Sequence, residues 1–231
     1  MQNSFAPTSL DDFVISDSVS ELTLKSILNG RMPFPLMKQA ICLWGTYGTG
    51  KTTLAQLLPG LLEASGKLLK SQRPGSLFGG DYYAHLTPCG FGANAVSMVQ
   101  DMKKRMASDA SYSPSGWHYE ILDEVDLLTL AAQASLKSLI TQASSTIFVF
   151  TTNHLPKLDR GLVDRSLLIE MNQPKPEQME VMGRRLLRTM GMNGDEIDSE
   201  TLQALATASR GSIRDFGASV LTAGIQHTSV V

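Results

Sequence analysis

Two kinds of hydrophobic pattern alternate along residues 40–171. Short runs of consecutive apolar residues predict buried strands, and stretches with apolar residues three and four positions apart predict amphipathic helices. The predicted strands cover residues 40–44, 82–87, 117–122, 146–151 and 167–171, with a further short strand over 67–69. The predicted helices cover residues 51–63, 93–107, 128–142 and 159–163, and another lies within residues 9–29. This alternation predicts an α/β fold, a parallel five-stranded sheet flanked by helices.

The pattern changes after residue 173, where Pro174 and Pro176 interrupt the chain. Beyond them, helical spacing predicts three helices without strands, over residues 177–190, 199–209 and 212–227. We therefore expect an α/β domain of residues 1–173 followed by a small all-helical domain of residues 174–231.

The segment LWGTYGTGKTTLAQLL joins the first predicted strand to the next helix. Its sequence matches G-x-x-x-x-G-K-[ST], in the strand–loop–helix context that this phosphate-loop pattern requires. In such a loop, backbone N–H groups converge on phosphate oxygens, the lysine reaches the β- and γ-phosphates, and the threonine binds Mg²⁺. The predicted nucleotide-binding residues are Gly45, Gly48, Thr49, Gly50, Lys51, Thr52 and Thr53. A glycine-rich turn that matches by chance is the alternative.

The third predicted strand ends in YEILDE, with Asp123 and Glu124 side by side. Since neighbouring side chains of a strand point to opposite sides, the two carboxylates can take different tasks. We predict that Asp123 binds Mg²⁺ together with Thr52, and that Glu124 polarises the attacking water. The alternative is a strand that ends in an ordinary polar turn.

Asn153 follows the fourth predicted strand. The carboxyl ends of parallel strands form the ligand-binding edge of an open α/β sheet, so Asn153 is expected beside Glu124, orienting the water and contacting the γ-phosphate. A turn residue is the alternative, because asparagine is common in turns. The segment TTNHLP lacks the N-K-x-D pattern of guanine recognition, which favours ATP, with Mg²⁺, as the ligand.

Composition sets limits on the function. The 231 residues are 42% hydrophobic and 18% charged, as in ordinary globular proteins, and the net charge of −2 argues against a strongly basic nucleic-acid binder. The two cysteines form no metal-binding spacing. The N-terminus does not have the pattern of a secretory signal and no apolar run approaches the length of a membrane span, so we expect a soluble, cytoplasmic protein without membrane contact.

These motifs, in this order, resemble the AAA+ ATPases, and within them the small subunits of clamp loaders of the replication factor C type. The likeness extends over nearly the whole chain. LDEVDLLTLAAQASLKSLI resembles the acidic box and following helix of that family, LVDRSLLIEM its S-R-C segment, and GSIRD its sensor 2 motif. Residues 6–8 and 10–15 resemble the segment that packs on adenine. The resemblance implies a P-loop NTPase sheet with a helical lid, ATPase activity, and side-by-side homo- or hetero-oligomers.

The resemblance also implies roles that spacing alone does not give. Arg165 would be an arginine finger that enters the site of a neighbouring subunit, and Arg214 would reach its own subunit's nucleotide from the lid. Gln133 would belong to the helix that couples DNA contact to the catalytic glutamate, and Val14 and Ile15 would contact adenine. Surface salt bridges are the alternative for the two arginines.

The chain departs from the resembled subunits in two ways. Asp164 and Ser166 replace the serine and cysteine of S-R-C, and a carboxylate beside Arg165 can pair with it and hold it back. The chain also ends after the predicted lid, whereas clamp loader subunits continue into a helical collar domain. A truncated chain, a different assembly and a different task all fit that difference.

The helix predicted over residues 93–107 ends in Lys103, Lys104 and Arg105. In the resembled family the corresponding helix meets the DNA backbone, so these cations are predicted to attract phosphate in a salt-dependent manner. A solvated helix end is the alternative.

We therefore predict an ATPase that acts on DNA in replication or repair, with a protein partner such as a sliding clamp. A nucleotide-dependent scaffold with little DNA contact, recruiting a replication, transposition or chaperone partner, is the second hypothesis, and a P-loop kinase the third.

Overall fold

A parallel five-stranded sheet, in the order β2-β3-β4-β1-β5, forms the centre of the molecule. The computed structural model describes residues 7–69, 71, 83–90, 95–108 and 112–228. The strands are β1 (Ala40–Trp44), β2 (Ala84–Pro88), β3 (His118–Asp123), β4 (Thr146–Thr152) and β5 (Ser166–Glu170). The helices are α1 (Ser18–Leu28), α2 (Lys51–Ser65), α3 (Ala95–Ala107), α4 (Leu130–Gln142), α5 (Arg160–Asp164), α6 (Pro176–Thr189), α7 (Ser199–Ala208) and α8 (Ile213–Thr228). None of these helices, as far as they are described, is both long and apolar enough to cross a bilayer.

The predicted fold class is confirmed, and the bounds of most elements differ from the predicted ones by only a few residues. The helical pattern within residues 9–29 divides into a short 3-10 turn, Leu10–Asp12, and α1, because Asp17 caps the helix by accepting a hydrogen bond from Ser20 N (2.8 Å). Residues 82, 93 and 94, where two further elements are predicted to begin, lie outside the described residues.

The strand predicted over residues 67–69 is wrong. Leu69 N–H donates to the carbonyl of Phe34 (2.9 Å), but the described part of this segment adds no ladder of successive pairs. A strand needs such a ladder, so this apolar segment is only tied to the loop that precedes β1.

The sheet separates two hydrophobic cores. Ile41 and Leu43 of β1 belong to the core that contains residues of α1 and α2, whereas Ala40 and Cys42 belong to the core that contains residues of α3 and α4. All four residues are at most 1% exposed. A strand buried on both faces needs a continuous apolar run, which is the pattern that predicted it.

A third core lies among α6, α7 and α8, which we call the lid helices. Met179, Leu187, Leu202 and Phe216 are buried there. At Gly183 an added Cβ would lie 2.9 Å from Cζ of Phe216, so the close approach of α6 and α8 requires glycine. The lid helices therefore bury their apolar faces against one another. The domain boundary between residues 173 and 174 stays a prediction.

Arg105 lies in a buried ionic cluster. Its guanidinium donates two hydrogen bonds to the carboxylate of Glu120 (2.9 Å each), and Nε2 of His118 lies 2.8 Å from the same carboxylate. Burial opposes the ionisation of Glu120, but the hydrogen bonds from His118 and Arg105 outweigh burial and lower the pKa of this carboxyl. The DNA contact predicted for Arg105 needs correction, because its guanidinium joins α3 to β3, whereas Lys103 and Lys104 are exposed.

We expect Arg105→Ala to lower the free energy of unfolding by roughly 3–5 kcal/mol, because it removes the guanidinium partner of a buried carboxylate. Urea denaturation measures this change. Lys103→Ala, which removes an exposed cation from the same helix, should change the free energy of unfolding by less than about 0.5 kcal/mol. Equal losses in the two variants would contradict a stabilising role for the cluster.

Candidate nucleotide-binding site

The site forms at the carboxyl edge of the sheet, where β1, β3 and β4 end. Trp44 at the end of β1 lies opposite Thr152 of β4, and Leu122 of β3 lies opposite Phe150 of the same strand. Because the three strands are parallel, the segments that follow them emerge at one edge, which brings the phosphate loop next to Asp123.

The phosphate loop curls tightly between β1 and α2. Gly48 and Gly50 have left-handed backbones, with φ of 76° and 88°. A Cβ on Gly48 would also lie 2.6 Å from Oγ of Ser212, so glycine lets the loop touch the segment that leads into α8. α2 begins directly after Gly50 and directs its first free N–H groups at the loop, as a phosphate requires.

Lys51 is buried at the base of this loop, only 6% exposed, and donates to the carbonyl of Thr46. Burial lowers the pKa of its ammonium group to about 8, although the carboxylates of Asp123, Glu124 and Asp126 act in the opposite direction. Among the described residues, the buried hydroxyl of Thr46 has no hydrogen-bond partner. A buried cation and an unsatisfied donor in one loop fit a phosphate group as ligand.

Asp123 holds two threonine hydroxyls on one oxygen. Oγ1 of Thr52 donates to Oδ1 of Asp123 (2.7 Å), and Oγ1 of Thr151 donates to the same atom (2.6 Å). Hydroxyl and carboxylate oxygens are hard ligands, and Thr52 and Asp123 together suit Mg²⁺ bound to a nucleotide. Sequence reasoning missed Thr151; the available signal was a hydroxyl close to the carboxyl end of a fully buried strand.

Glu124 lies beside Asn153 and takes no part in the contact between Thr52 and Asp123. Nδ2 of Asn153 is 3.4 Å from Oε1 of Glu124, and the N–H of Glu124 donates to Oγ1 of Thr151 (2.9 Å). Glu124 has a left-handed backbone, with φ of 57°, which is rare for residues other than glycine and recurs at functional sites. The two carboxylates have different partners, Thr52 and Thr151 for Asp123 and Asn153 for Glu124, so that one can bind a cation while the other accepts a proton from water.

A cavity of about 620 Å³ extends from the phosphate loop to the lid helices. The predicted residues Gly48, Thr49, Gly50, Thr53 and Arg214 line it. The N-terminal residues Pro7, Thr8, Asp12 and Phe13 and the lid residues Met182, Arg185, Leu186, Thr189, Ile213, Gly217, Ala218 and Leu221 complete the lining. A pocket with a polar loop at one place and apolar side chains elsewhere suits a nucleotide.

The structure does not bring Val14 and Ile15 to this cavity. Phe13 lies there instead, at 3.5 Å from where a Cβ on Gly50 would stand, and Ile15 is 5% exposed and packs in the core shared with α1 and α2. Val14 and Ile15, predicted to contact adenine, are therefore absent from the lining, which Phe13 and its N-terminal neighbours Pro7, Thr8 and Asp12 provide.

Arg165 lies at the opposite edge of the sheet. Its carbonyl accepts the N–H of Ala40, the first residue of β1, whereas the phosphate loop follows the last residue of that strand. The Arg165 guanidinium donates to Oγ1 of Thr141 (3.2 Å) and to the carbonyl of Gly161 (3.0 Å). Among the described residues, no ion pair joins it to Asp164, the pairing considered from the sequence.

Gln133 is buried in α4 and bonded through its whole amide. Nε2 donates to the carbonyl of Leu128 (3.1 Å), and Oε1 accepts the N–H of Asp159 (2.7 Å). Gln133 therefore joins the segment after Glu124 to the one that leads into α5 and Arg165.

A profile of the ATPase family associated with various cellular activities (AAA) matches residues 41–173. The replication factor C small subunit of Thermoplasma acidophilum is 27% identical over 172 residues, which are 74% of this chain and 48% of that protein. The replication factor C subunit 3 of Blastobotrys adeninivorans is 26% identical over 212 residues, 91% of this chain and 56% of that protein. The chain thus spans about half the length of these relatives.

Two solved structures with this fold come from Thermotoga maritima. The RuvB Holliday junction branch migration motor superposes with a TM-score of 0.63 at 17% identity, over 94% of this chain and 64% of that chain. Domain III of the replication initiation protein DnaA superposes with a TM-score of 0.58 at 14% identity, over 97% of this chain and 92% of that chain. At these identities the likeness concerns the fold.

We expect Thr151→Val to slow magnesium-dependent nucleotide hydrolysis by roughly 10–100-fold, because it removes the donor that orients Asp123 and the acceptor that holds the Glu124 backbone. The hydrolysis rate as a function of Mg²⁺ concentration measures the effect. Thr146→Val, at the amino end of the same strand, controls for the loss of a buried hydroxyl. If both variants keep the unaltered rate, Thr151 has no part in the site.

Proposed function

The chain belongs to the ATPase family associated with various cellular activities, and on that premise we propose that it binds ATP with Mg²⁺ and hydrolyses it in a side-by-side oligomer. We propose further that it acts on DNA in replication or repair, as a clamp loader subunit does, with a protein partner such as a sliding clamp. The observation that carries the proposal is the meeting of Thr52, Asp123, Glu124 and Asn153 beside one phosphate loop.

Each residue has a task that follows from its position. The N–H groups of the loop and the first turn of α2 bind phosphate oxygens, and the Lys51 ammonium neutralises β- and γ-phosphate charge. Thr52 and Asp123 would hold Mg²⁺, which supplies charge stabilisation when it is bound. Glu124 accepts the proton of the attacking water, and Asn153 fixes the direction of that carboxylate.

Two arginines serve different subunits in this proposal. Arg214 lines the cavity of its own chain and would contact the phosphates from α8. Arg165 is separated from its own loop by the length of β1, five residues or roughly 16 Å, and would therefore complete the site of a neighbour. Hydrolysis then depends on assembly, because Lys51 and Arg214 of one chain neutralise only part of the charge on the transferred phosphoryl group and Arg165 adds its share across an interface.

Mixing two inactive variants tests this arrangement. Arg165→Ala alone should lower hydrolysis by roughly 10³-fold, as expected for the loss of an arginine finger, and Glu124→Gln should bind ATP without turnover. In the mixture, an intact Arg165 from one subunit can enter a site with an intact Glu124 in the other, so that steady-state ATPase activity returns in part. Lys51→Ala, which removes the phosphate-binding cation, sets the background when it is mixed with Glu124→Gln. In that mixture each site lacks either Lys51 or Glu124, so no activity should return. A mixture no more active than its two components would contradict action in trans.

Charge around α3 supports a second candidate. Arg105 is bonded to Glu120, and the exposed Lys104 lies 3.5 Å from Asp101, so two of the three cations of α3 already have a carboxylate partner. A nucleotide-dependent scaffold that recruits a replication, transposition or chaperone partner needs little DNA contact and fits this charge balance.

Primed DNA separates the two functions. For a DNA-linked ATPase, we expect primed duplex to stimulate hydrolysis several-fold at low salt, and the double variant Lys103→Gln/Lys104→Gln to reduce this stimulation without lowering the basal rate. Steady-state ATPase assays with and without DNA at several salt concentrations measure both. Lys175→Gln/Lys157→Gln, which removes the same charge elsewhere, is the control. No stimulation of the unaltered protein at any concentration favours the scaffold.

A further inference from the structure

The cavity is bridged at two separate places between the α/β part of the chain and the lid helices. At the phosphate loop, the carbonyl of Gly48 accepts the backbone N–H groups of Ile213 (2.9 Å) and Arg214 (3.3 Å). On α6, the guanidinium of Arg185 donates to the carbonyl of Asp11 (2.7 Å) and to the carboxylate of Asp12. Asp12 and Arg185 both line the cavity, so their ion pair closes one side of it.

The 3-10 turn that carries Asp12 is itself firmly held. The Asp12 carboxylate accepts the N–H groups of Thr8 (2.7 Å) and Ser9 (2.8 Å), and the side chain of Leu10 is 8% exposed in the core. Partial burial opposes ionisation of Asp12, but these hydrogen bonds and the charge of Arg185 lower the pKa of its carboxyl. The turn therefore belongs to the α/β part, and Arg185 is the group that crosses to it from the lid.

The two bridges differ in strength. The bridge at Gly48 consists of backbone hydrogen bonds, which depend little on ionic strength. The Arg185 side chain is 47% exposed, and an ion pair in contact with solvent is weak and screened by salt. The lid can therefore separate from the N-terminal turn at Asp12 while it stays attached at the phosphate loop.

We propose that the Asp12–Arg185 ion pair is a clasp that sets how long a nucleotide stays bound. When the clasp is closed, Phe13 and the apolar lid residues enclose the part of the cavity beyond the phosphate loop; when it opens, the nucleotide enters and leaves there. Arg185 is then a positioning residue, and this role rests on the proposed function that the cavity holds ATP.

Stopped-flow release of a fluorescent ATP analogue tests the clasp in the full chain. Arg185→Gln should release the analogue roughly 2–5-fold faster than the unaltered protein at low salt, the range expected from an exposed ion pair. Added salt should speed release from the unaltered protein and change it little in Arg185→Gln, and Arg185→Lys should restore part of the slow release and its salt dependence. Arg188→Gln, which removes a charge from an exposed site on the same helix outside the cavity, should behave as the unaltered protein.

The outcomes separate two failures. If the unaltered protein binds the analogue and Arg185→Gln releases it at the rate of Arg188→Gln, with equal salt dependence, the clasp is overturned and the nucleotide site stands. If the unaltered protein binds no analogue with Mg²⁺ present, the proposed function and the clasp both fail.

Discussion

The geometry of the candidate nucleotide-binding site depends on the carboxylate of Asp123. Its Oδ1 accepts hydrogen bonds from Thr52 at the start of α2 and from Thr151 near the end of β4, so one atom at the end of β3 joins three elements. Thr151 also accepts the N–H of Glu124, which fixes the direction in which the chain leaves β3. A shift of β3 relative to β4 by one residue would separate all of these partners, so strand register and site geometry are one constraint.

The direction of the strands divides the functional groups between two edges of the sheet. The phosphate loop and Asn153 follow the carboxyl ends of β1 and β4, and Asp123 is the last residue of β3, whereas Arg165 precedes the amino end of β5. Since β1 and β5 pair in parallel from Ala40 with Ser166 onward, no local adjustment brings Arg165 to its own loop. The Gln133 side chain links segments that lead to both edges, because its amide is hydrogen-bonded to Leu128, which follows Glu124, and to Asp159, which precedes α5.

The groups that follow strand ends were predictable from the sequence, because buried parallel strands are continuous apolar runs and the residues after them meet at one edge. Lys51, Asp123 and Asn153 are of this kind. Partners chosen by packing were not predictable: Thr151 meets a carboxylate 28 residues away, and Arg105 meets one 15 residues away. The contact of Val14 and Ile15 with adenine was predicted from the resemblance alone. The two residues follow a 3-10 turn in a segment without hydrophobic periodicity, so the sequence does not reveal which side chains face the cavity.

The hydrogen bonds between α8 and Gly48 have a consequence for the phosphate loop itself. In a trans peptide unit the carbonyl and the next N–H point in opposite directions, so a Gly48 carbonyl held towards Ile213 turns the N–H of Thr49 away from α8. Helix α8 thereby helps to aim a backbone dipole within the loop, and a peptide flip at Gly48 would convert that donor into an oxygen that repels anions. Detachment of α8 would therefore release the peptide that keeps this N–H aimed within the loop, as well as uncover the cavity.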